Sequence, residues 1–450
     1  MLDTGRVFKA YDIRGLVPEE LDSDLCRRIG SAFGRFVRDD DAGVDRVIVA
    51  RDMRPTGPEL VAAFAEGVTG QGLAVVDLGL ASTDMLYFAA GSLDAPGAVF
   101  TASHNPAGYN GIKVCRRGAA PIGRDTGLAA IEALVHDPPE PAATPGGCTE
   151  RQLLGEFADH VRSFIDPSAL RPLRVVADVA NGMGGLVVPA VFSSLPVELE
   201  LMYPELDGTF PNHPADPIQP ENQRDLCERV LETGADIGLA FDGDADRVFL
   251  VDETATPISG STTTAMVAAA VLDKEPGATI IHNLICSKAV PELVADRGGR
   301  SVRSRVGHSY VKSLMAETGA AFAGEHSGHY YFRDNYRADS GLIAALVVLE
   351  LLSASARPLS ELRRPHERYW ASGERNHRVD DPTVVIDMVA ETFASASQDR
   401  LDGLTVDLGD WWFNLRASNT EPLLRLNLEA AGEVVGRQHV TEVERLFHVR

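Results

Sequence analysis

The chain is poor in lysine, cysteine and long apolar runs, and each shortage excludes something. Its 450 residues hold five lysines, Lys9, Lys113, Lys274, Lys288 and Lys312, and acidic residues outnumber lysine and arginine by 65 to 42. The formal net charge of -23 repels nucleic acid and anionic membranes, so neither is an expected partner. It repels phosphorylated small molecules too, so any phosphate site must gather cations against the global field. The five cysteines, Cys26, Cys115, Cys148, Cys227 and Cys286, show no zinc spacing and no disulfide framework, which predicts a reducing, cytoplasmic setting. The first residues lack a signal peptide's basic and then apolar pattern. No apolar run reaches the ~18 residues that a membrane span needs. The longest candidate, residues 342–352, contains Glu350 and reads as a buried helix.

What is present is an ordinary globular composition, 44% hydrophobic and 24% charged, too long for one core and predicting three or four domains. Residues 47–50, 73–78 and 98–100 read as strands. Residues 58–70 read as a helix, and Ser82 or Thr83 caps another that runs to Ala90. This βαβαβ pattern predicts a parallel sheet covered by helices. The proline-rich stretch 137–147 reads as a linker. A second α/β unit follows, ending in strands at 236–241 and 248–251. A third runs from about Thr254, with strands at 278–282 and 320–323. From about Pro365 the pattern changes to strands at 404–407, 411–415 and 423–428 with flanking helices, an α+β unit with an antiparallel sheet. The three α/β units repeat an architecture without an obvious residue-level repeat.

Four loops carry the chemistry. Thr101-Ala102-Ser103-His104-Asn105-Pro106 places a serine at the end of a strand, where open α/β sheets bind ligands. Adjacent Ser103 and His104 do not make a hydrolase triad by spacing alone. Asp242-Gly243-Asp244-Ala245-Asp246-Arg247 stacks three carboxylates at alternate positions, which suits a hard cation such as magnesium. An EF-hand is excluded because Arg247 stands where that loop requires glycine and both flanks read as strands. Gly324-Glu325-His326-Ser327-Gly328-His329 offers hydroxyl-binding groups and a proton carrier. It does not give the two-histidine helical face of a zinc protease. Arg416-Ala417-Ser418-Asn419-Thr420 combines a guanidinium, hydroxyls and an amide suited to phosphate. Lys113 follows the serine loop in a lysine-poor chain, and Tyr11 and Arg14 lie in a cationic segment ending at Gly15.

Taken together, in this order and across some 400 residues, the loops resemble the α-D-phosphohexomutase family over essentially the whole chain. The sugar loop, with histidine between Glu325 and Ser327, looks like the phosphomannomutase and phosphoglucomutase branch. The segments 102–113, 306–310 and 325–332 are most similar to actinobacterial members. The resemblance implies three similar doubly wound α/β domains with mixed sheets, at 1–148, 149–252 and 253–365, and a C-terminal α+β domain at 366–450, around a central cleft.

It also implies an intramolecular phosphotransferase of the isomerase class that interconverts mannose 1-phosphate and mannose 6-phosphate. Ser103 would rest as phosphoserine, and a hexose 1,6-bisphosphate such as glucose 1,6-bisphosphate would be intermediate and activator. Mg²⁺ would sit on Asp242, Asp244, Asp246 and Ser103, with Arg247 offsetting charge. Lys113 and His329 would move protons, and Tyr11, Arg14 and His104 would line the cleft. Arg305, His308, Glu325 and Ser327 would face the sugar, while Arg416, Ser418, Asn419 and Thr420 would grip the other phosphate.

The expected partners are hexose phosphates, and the expected state is a monomer or homodimer. One departure stands out: related bifunctional enzymes carry a lysine where this chain has Ile285, and Lys288 is out of register. A phosphoglucomutase or bifunctional enzyme, and a non-catalytic sugar-phosphate-binding protein, are the competing expectations.

Overall fold

A computed structural model describes residues 4–417 and 423–447. It builds four sheets, one per domain. The first has the order Ile13–Leu16, Tyr109–Cys115, Gly97–Phe100, Arg46–Arg51, Ala74–Leu80, Cys148–Glu150. Its last four strands are parallel, but Tyr109–Cys115 runs antiparallel to Gly97–Phe100, and Ile13–Leu16 antiparallel to Tyr109–Cys115. This is the mixed sheet that the resemblance implies, and the parallel part read from βαβαβ forms four of its six strands. Residues 101–108 are too few for a parallel crossover, which takes a dozen or more, so the chain turns straight back.

The second sheet holds Leu173–Asp178 between parallel Val197–Met202 and Ile237–Phe241, then turns back into Val248–Asp252. The third pairs Thr279–Asn283 with parallel Arg300–Ser304 and Phe322–Gly324, and Phe322–Gly324 turns back into Tyr330–Phe332. The fourth is antiparallel throughout: Trp370–Arg378, Leu423–Ala430, Trp411–Ala417, Leu404–Asp407, Ser397–Asp399. Strands covered on both faces read as continuous apolar runs, and all of Gly97–Phe100 and Ile237–Phe241 are buried.

Helices start where a cap is available. Ser82 accepts from the Met85 N–H to open Thr83–Ser92, and Ser340 caps the apolar helix Gly341–Ala354. Among the described residues no single helix is long and apolar enough to cross a membrane. One continuous apolar cluster runs from Ile48 and Phe88 through Phe157 and Phe241 to Leu342 and Leu352, joining the first three domains. The fourth has its own core around Phe413, Leu426 and Val443.

Two helices of the first domain, Ser23–Asp40 and Gly57–Gly70, touch backbone to backbone. A Cβ on Gly30 would lie 2.1 Å from the Phe64 carbonyl oxygen, and one on Gly67 2.1 Å from that of Arg27. These contacts predict that Gly67→Val forces the helices apart. The substitution should destabilise the first domain by about 3 kcal/mol, read as a lower midpoint in urea unfolding followed by circular dichroism.

Candidate active site

The serine loop leaves the buried strand Gly97–Phe100 and bends at once: Ser103 has φ +49° and is fully buried. The second domain meets it there. A Cβ on Gly243 would lie 2.5 Å from the Ser103 carbonyl oxygen, so only glycine lets the two loops approach this closely. Across this contact Ser103 Oγ donates to Asp242 Oδ2 at 2.8 Å and sits 3.2 Å from His104 Nδ1.

Asp242, Asp244 and Asp246 are all buried, and each offers an oxygen within 4.8 Å of the others. Lys113 reaches across from the strand Tyr109–Cys115 and donates to Asp244 Oδ2 and Asp246 Oδ2, both at 2.7 Å. Thr83 Oγ1 adds a 2.6 Å bond to Asp244. Arg247 closes the group, its Nε 3.4 Å from Asp242 Oδ2.

The charges set the protonation. Burial alone would lower the Lys113 ammonium, but Asp244 and Asp246 override it and hold its pKa well above the ordinary value. Burial opposes the Asp244 carboxylate, yet Lys113 keeps its pKa below the usual range. Burial, with Asp246 and Asp244 alongside, pushes Asp242 well up. Burial and the neighbouring Arg247 and Arg14 push His104 down.

The donor set suits a hard divalent cation. Oδ1 of Asp244 and Oδ1 of Asp246 are buried without a hydrogen-bond partner, and all three ligating groups are oxygens. Asp246, His329 and Asp339 also lie within 4.8 Å of one another. There, however, Lys312 already neutralises Asp339 at 2.9 Å.

The third domain contributes through the return loop between Phe322–Gly324 and Tyr330–Phe332. Glu325 is buried and accepts from Tyr331 Oη at 2.7 Å, Gly307 N at 3.1 Å and Asn283 Nδ2 at 3.2 Å. His329 bridges to Arg247 through a backbone pair, and its Nδ1 is 2.8 Å from Asp339 and 3.7 Å from Asp246. Ser327 is half-buried in this loop. Tyr11 stacks edge-on against His308 and donates to the Val306 carbonyl at 3.2 Å, joining the first domain to the third.

Burial, with Lys312 beside it, pushes His308 down to about 3. Arg305 is exposed and lies over the Tyr310 ring at 4.4 Å. Arg14 bonds Asn105 of the serine loop and Asp12. Arg416 is buried at the end of Trp411–Ala417 and pairs with Glu374 at 3.0 Å. Ser418, Asn419 and Thr420 lie outside the described residues. Ile285 is buried, while Lys288 Nζ bonds Asp407 Oδ1 at 2.7 Å and the Gly409 carbonyl at 3.0 Å in the fourth domain.

Three residues at this centre escape a reading of motifs. Asp339 links His329 to Lys312, and the Lys312 ammonium lies 3.4 Å from the Tyr87 ring centroid. The scarcity of lysine is the signal that marks Lys312. Arg54 is fully buried beneath the serine loop. Its signal is a charged run, Arg51-Asp52-Met53-Arg54, directly after a buried strand.

Comparison with known proteins agrees with this geometry. Family models described as phosphoglucomutase/phosphomannomutase alpha/beta/alpha domains I, II and III match residues 5–141, 155–256 and 259–369, and the C-terminal domain model matches 374–445. A curated Xanthomonas campestris protein named for phosphohexose mutases is 41% identical over 434 residues, 95% of each chain. A Salmonella typhimurium phosphomannomutase is 40% identical over 439 residues, again 95% of each. A crystal structure of a phosphoglucomutase/phosphomannomutase family protein from Burkholderia thailandensis superposes with a TM-score of 0.91 at 34% identity, covering 99% of this chain and 97% of that one. Matched by all four domain models and by relatives at about 40% identity over 95% of its length, the chain belongs to the α-D-phosphohexomutase family of intramolecular phosphotransferases.

Proposed function

We propose that the protein is a phosphomannomutase that interconverts mannose 1-phosphate and mannose 6-phosphate through phosphoserine at Ser103 and a hexose 1,6-bisphosphate. The observation that carries this is Ser103 Oγ, 2.8 Å from Asp242 inside a cluster of three carboxylates and Lys113. A serine there has little use as a bare hydroxyl, because burial and the nearby Arg247 and Arg14 weaken His104 as a base and, among the described residues, no histidine–carboxylate pair is aimed at it. As a phosphoserine it would share the cation site.

Asp242, Asp244 and Asp246, with a phosphoserine oxygen, would hold Mg²⁺. When bound, Mg²⁺ supplies positive charge beside the phosphoryl oxygens. Arg247 and Lys113 add fixed charge on the same side. Lys113 stays an ammonium between Asp244 and Asp246, so it serves here as a fixed charge and hydrogen-bond donor and not as a base. His329, oriented through Nδ1 by Asp339, takes the proton of the attacking sugar hydroxyl as its oxygen bonds to phosphorus and the bond from phosphorus to Ser103 Oγ breaks; Ser103 is left as the hydroxyl that bonds Asp242, taking up one proton for the one His329 removes. Glu325, Ser327, Arg305 and His308 would bind the sugar, with Tyr11, Arg14 and His104 lining the cleft. Arg416, with Ser418, Asn419 and Thr420, would hold the phosphate that does not react.

Mannose is favoured by the phosphomannomutase names of relatives at about 40% identity. A bifunctional enzyme is the second reading, because the two sugars differ only at C2 and one hydroxyl is poorly discriminated unless a buried polar group reads it; Ile285, where bifunctional relatives carry a lysine, counts against it.

Phosphorus NMR with mannose 1-phosphate, Mg²⁺ and a trace of glucose 1,6-bisphosphate should show mannose 6-phosphate. Ser103→Ala should lower that rate by at least about 10³-fold, and no loss in that variant rejects the phosphoserine route. Glucose 1-phosphate run in parallel should turn over more slowly; equal rates favour the bifunctional reading. For the cation, adding Mg²⁺ to EDTA-stripped protein should raise the thermal midpoint. The rise should vanish in Asp244→Asn, and an unchanged rise places the ion elsewhere.

A further inference from the structure

The serine loop is held in an unusual backbone conformation by a residue that touches no substrate. Ser103 sits in the left-handed region at φ +49°, which a non-glycine residue keeps only when its surroundings fix it. Arg54 lies directly beneath. All five of its guanidinium N–H groups are used. Nε donates to Asp52 at 3.2 Å. Nη1 donates to the carbonyls of Pro106 and Tyr109 at 2.9 and 2.8 Å. Nη2 donates to those of Ser103 and Asn105 at 3.0 and 2.6 Å. Four of the five acceptors are backbone carbonyls from the two ends and the middle of one loop.

The clamp is also closed from the second domain. The Phe210 ring stands 5.2 Å from the Arg54 guanidinium carbon. A Cβ on Gly208 would come within 2.6 Å of the Arg54 Cα. The Ser103 carbonyl is therefore caught between Arg54 on one side and Gly243 of the carboxylate loop on the other. Burying a guanidinium completely is costly, and Asp52 as its counter-ion would suffice if charge balance were the only task. The four carbonyl bonds fix geometry instead.

We propose that Arg54 is the positioning residue for the phosphoryl-carrying serine: it sets the path of loop 103–109, and through it the line from Ser103 Oγ to the incoming sugar hydroxyl. This rests on the phosphoserine reading above. Lysine has three donors on a point charge and cannot reproduce five bonds in a planar fork, so Arg54→Lys keeps a cation beside Asp52 and loses the clamp. Because Arg54 meets no ligand, its loss acts on the chemical step. A displacement near 1 Å at a reacting atom is worth on the order of 10²-fold in rate.

The test measures kcat and KM for mannose 1-phosphate and glucose 1-phosphate in wild type, Arg54→Lys and Arg54→Met. Circular dichroism checks the fold. Rates are expressed per chain able to accept phosphate from glucose 1,6-bisphosphate, counted by intact-protein mass, so that lost folded protein does not register as lost rate. The expected result is a kcat lowered about 10-fold in Arg54→Lys and about 100-fold in Arg54→Met, with KM within about threefold of wild type. Arg54→Lys decides the matter if Arg54→Met does not fold. A folded variant with kcat within twofold of wild type, or a loss carried by KM alone, overturns the clamp. Wild type that converts neither sugar overturns the phosphoserine reading itself, a separate outcome from active wild type with equally active variants.

Discussion

The structure turns on how buried charge is balanced where the first and second domains meet. Asp242, Asp244 and Asp246 lie together out of water, facing Lys113 from the neighbouring domain and Arg247 from their own loop. Like charges at this separation cannot all ionise unless cations compensate them. Two cations against three carboxylates leave an excess of negative charge, which adds to burial in raising the Asp242 pKa. Removing Lys113 would strand Asp244 and Asp246, which is why a buried pair broken on one side destabilises more than a surface pair ever stabilises. The same imbalance that strains the resting protein makes the site a receptor for a further cation.

The fold brings this about by repeating one device. In each of the first three domains a parallel strand reaches the sheet end and turns straight back into an antiparallel neighbour. The turns are 101–108, 242–247 and 325–329. In the fourth, residues between Trp411–Ala417 and Leu423–Ala430 join another antiparallel pair. Each turn carries one of the four motifs read in the sequence. Short returns leave no room for a helix, so their polar side chains and backbone groups face whatever lies beyond the sheet end. Three such ends, joined by a shared apolar core, face one another.

Much of this was legible in the sequence, for physical reasons. The strands that lead into the loops are short apolar runs, and caps such as Ser82 announce the helices. The three aspartates at alternate positions carry their own argument, since closely spaced like charges require a reason. Strand direction was not legible, because Tyr109–Cys115 is almost wholly buried and its residues do not say which way they pair. The amphipathic helix Ser23–Asp40 was missed although Leu25, Ile29, Phe33 and Val37 line one face. The roles of Arg54 and Asp339 were not legible, although a charged run after a buried strand marks the position of Arg54. Arg54 acts on carbonyls some fifty positions away, and carbonyls have no sequence signature. Asp339 matters only because His329 and Lys312 fold against it.

Ile285 and Lys288 show how a departure in a motif is resolved by structure. Lys288 spans the boundary, its Nζ on Asp407 and its backbone N–H on Glu429. Arg303 with Asp399, and the Val306 N–H on Asp402 at 3.1 Å, continue the same seam. The apolar cluster that unites the first three domains includes no residue of the fourth among those described. Half-exposed ion pairs are worth roughly 0–1 kcal/mol each, far less than a shared core, so among the described residues this boundary lacks the apolar cement that joins the first three domains. A wall joined by ion pairs and hydrogen bonds can shift without disturbing the apolar core that joins the other three domains.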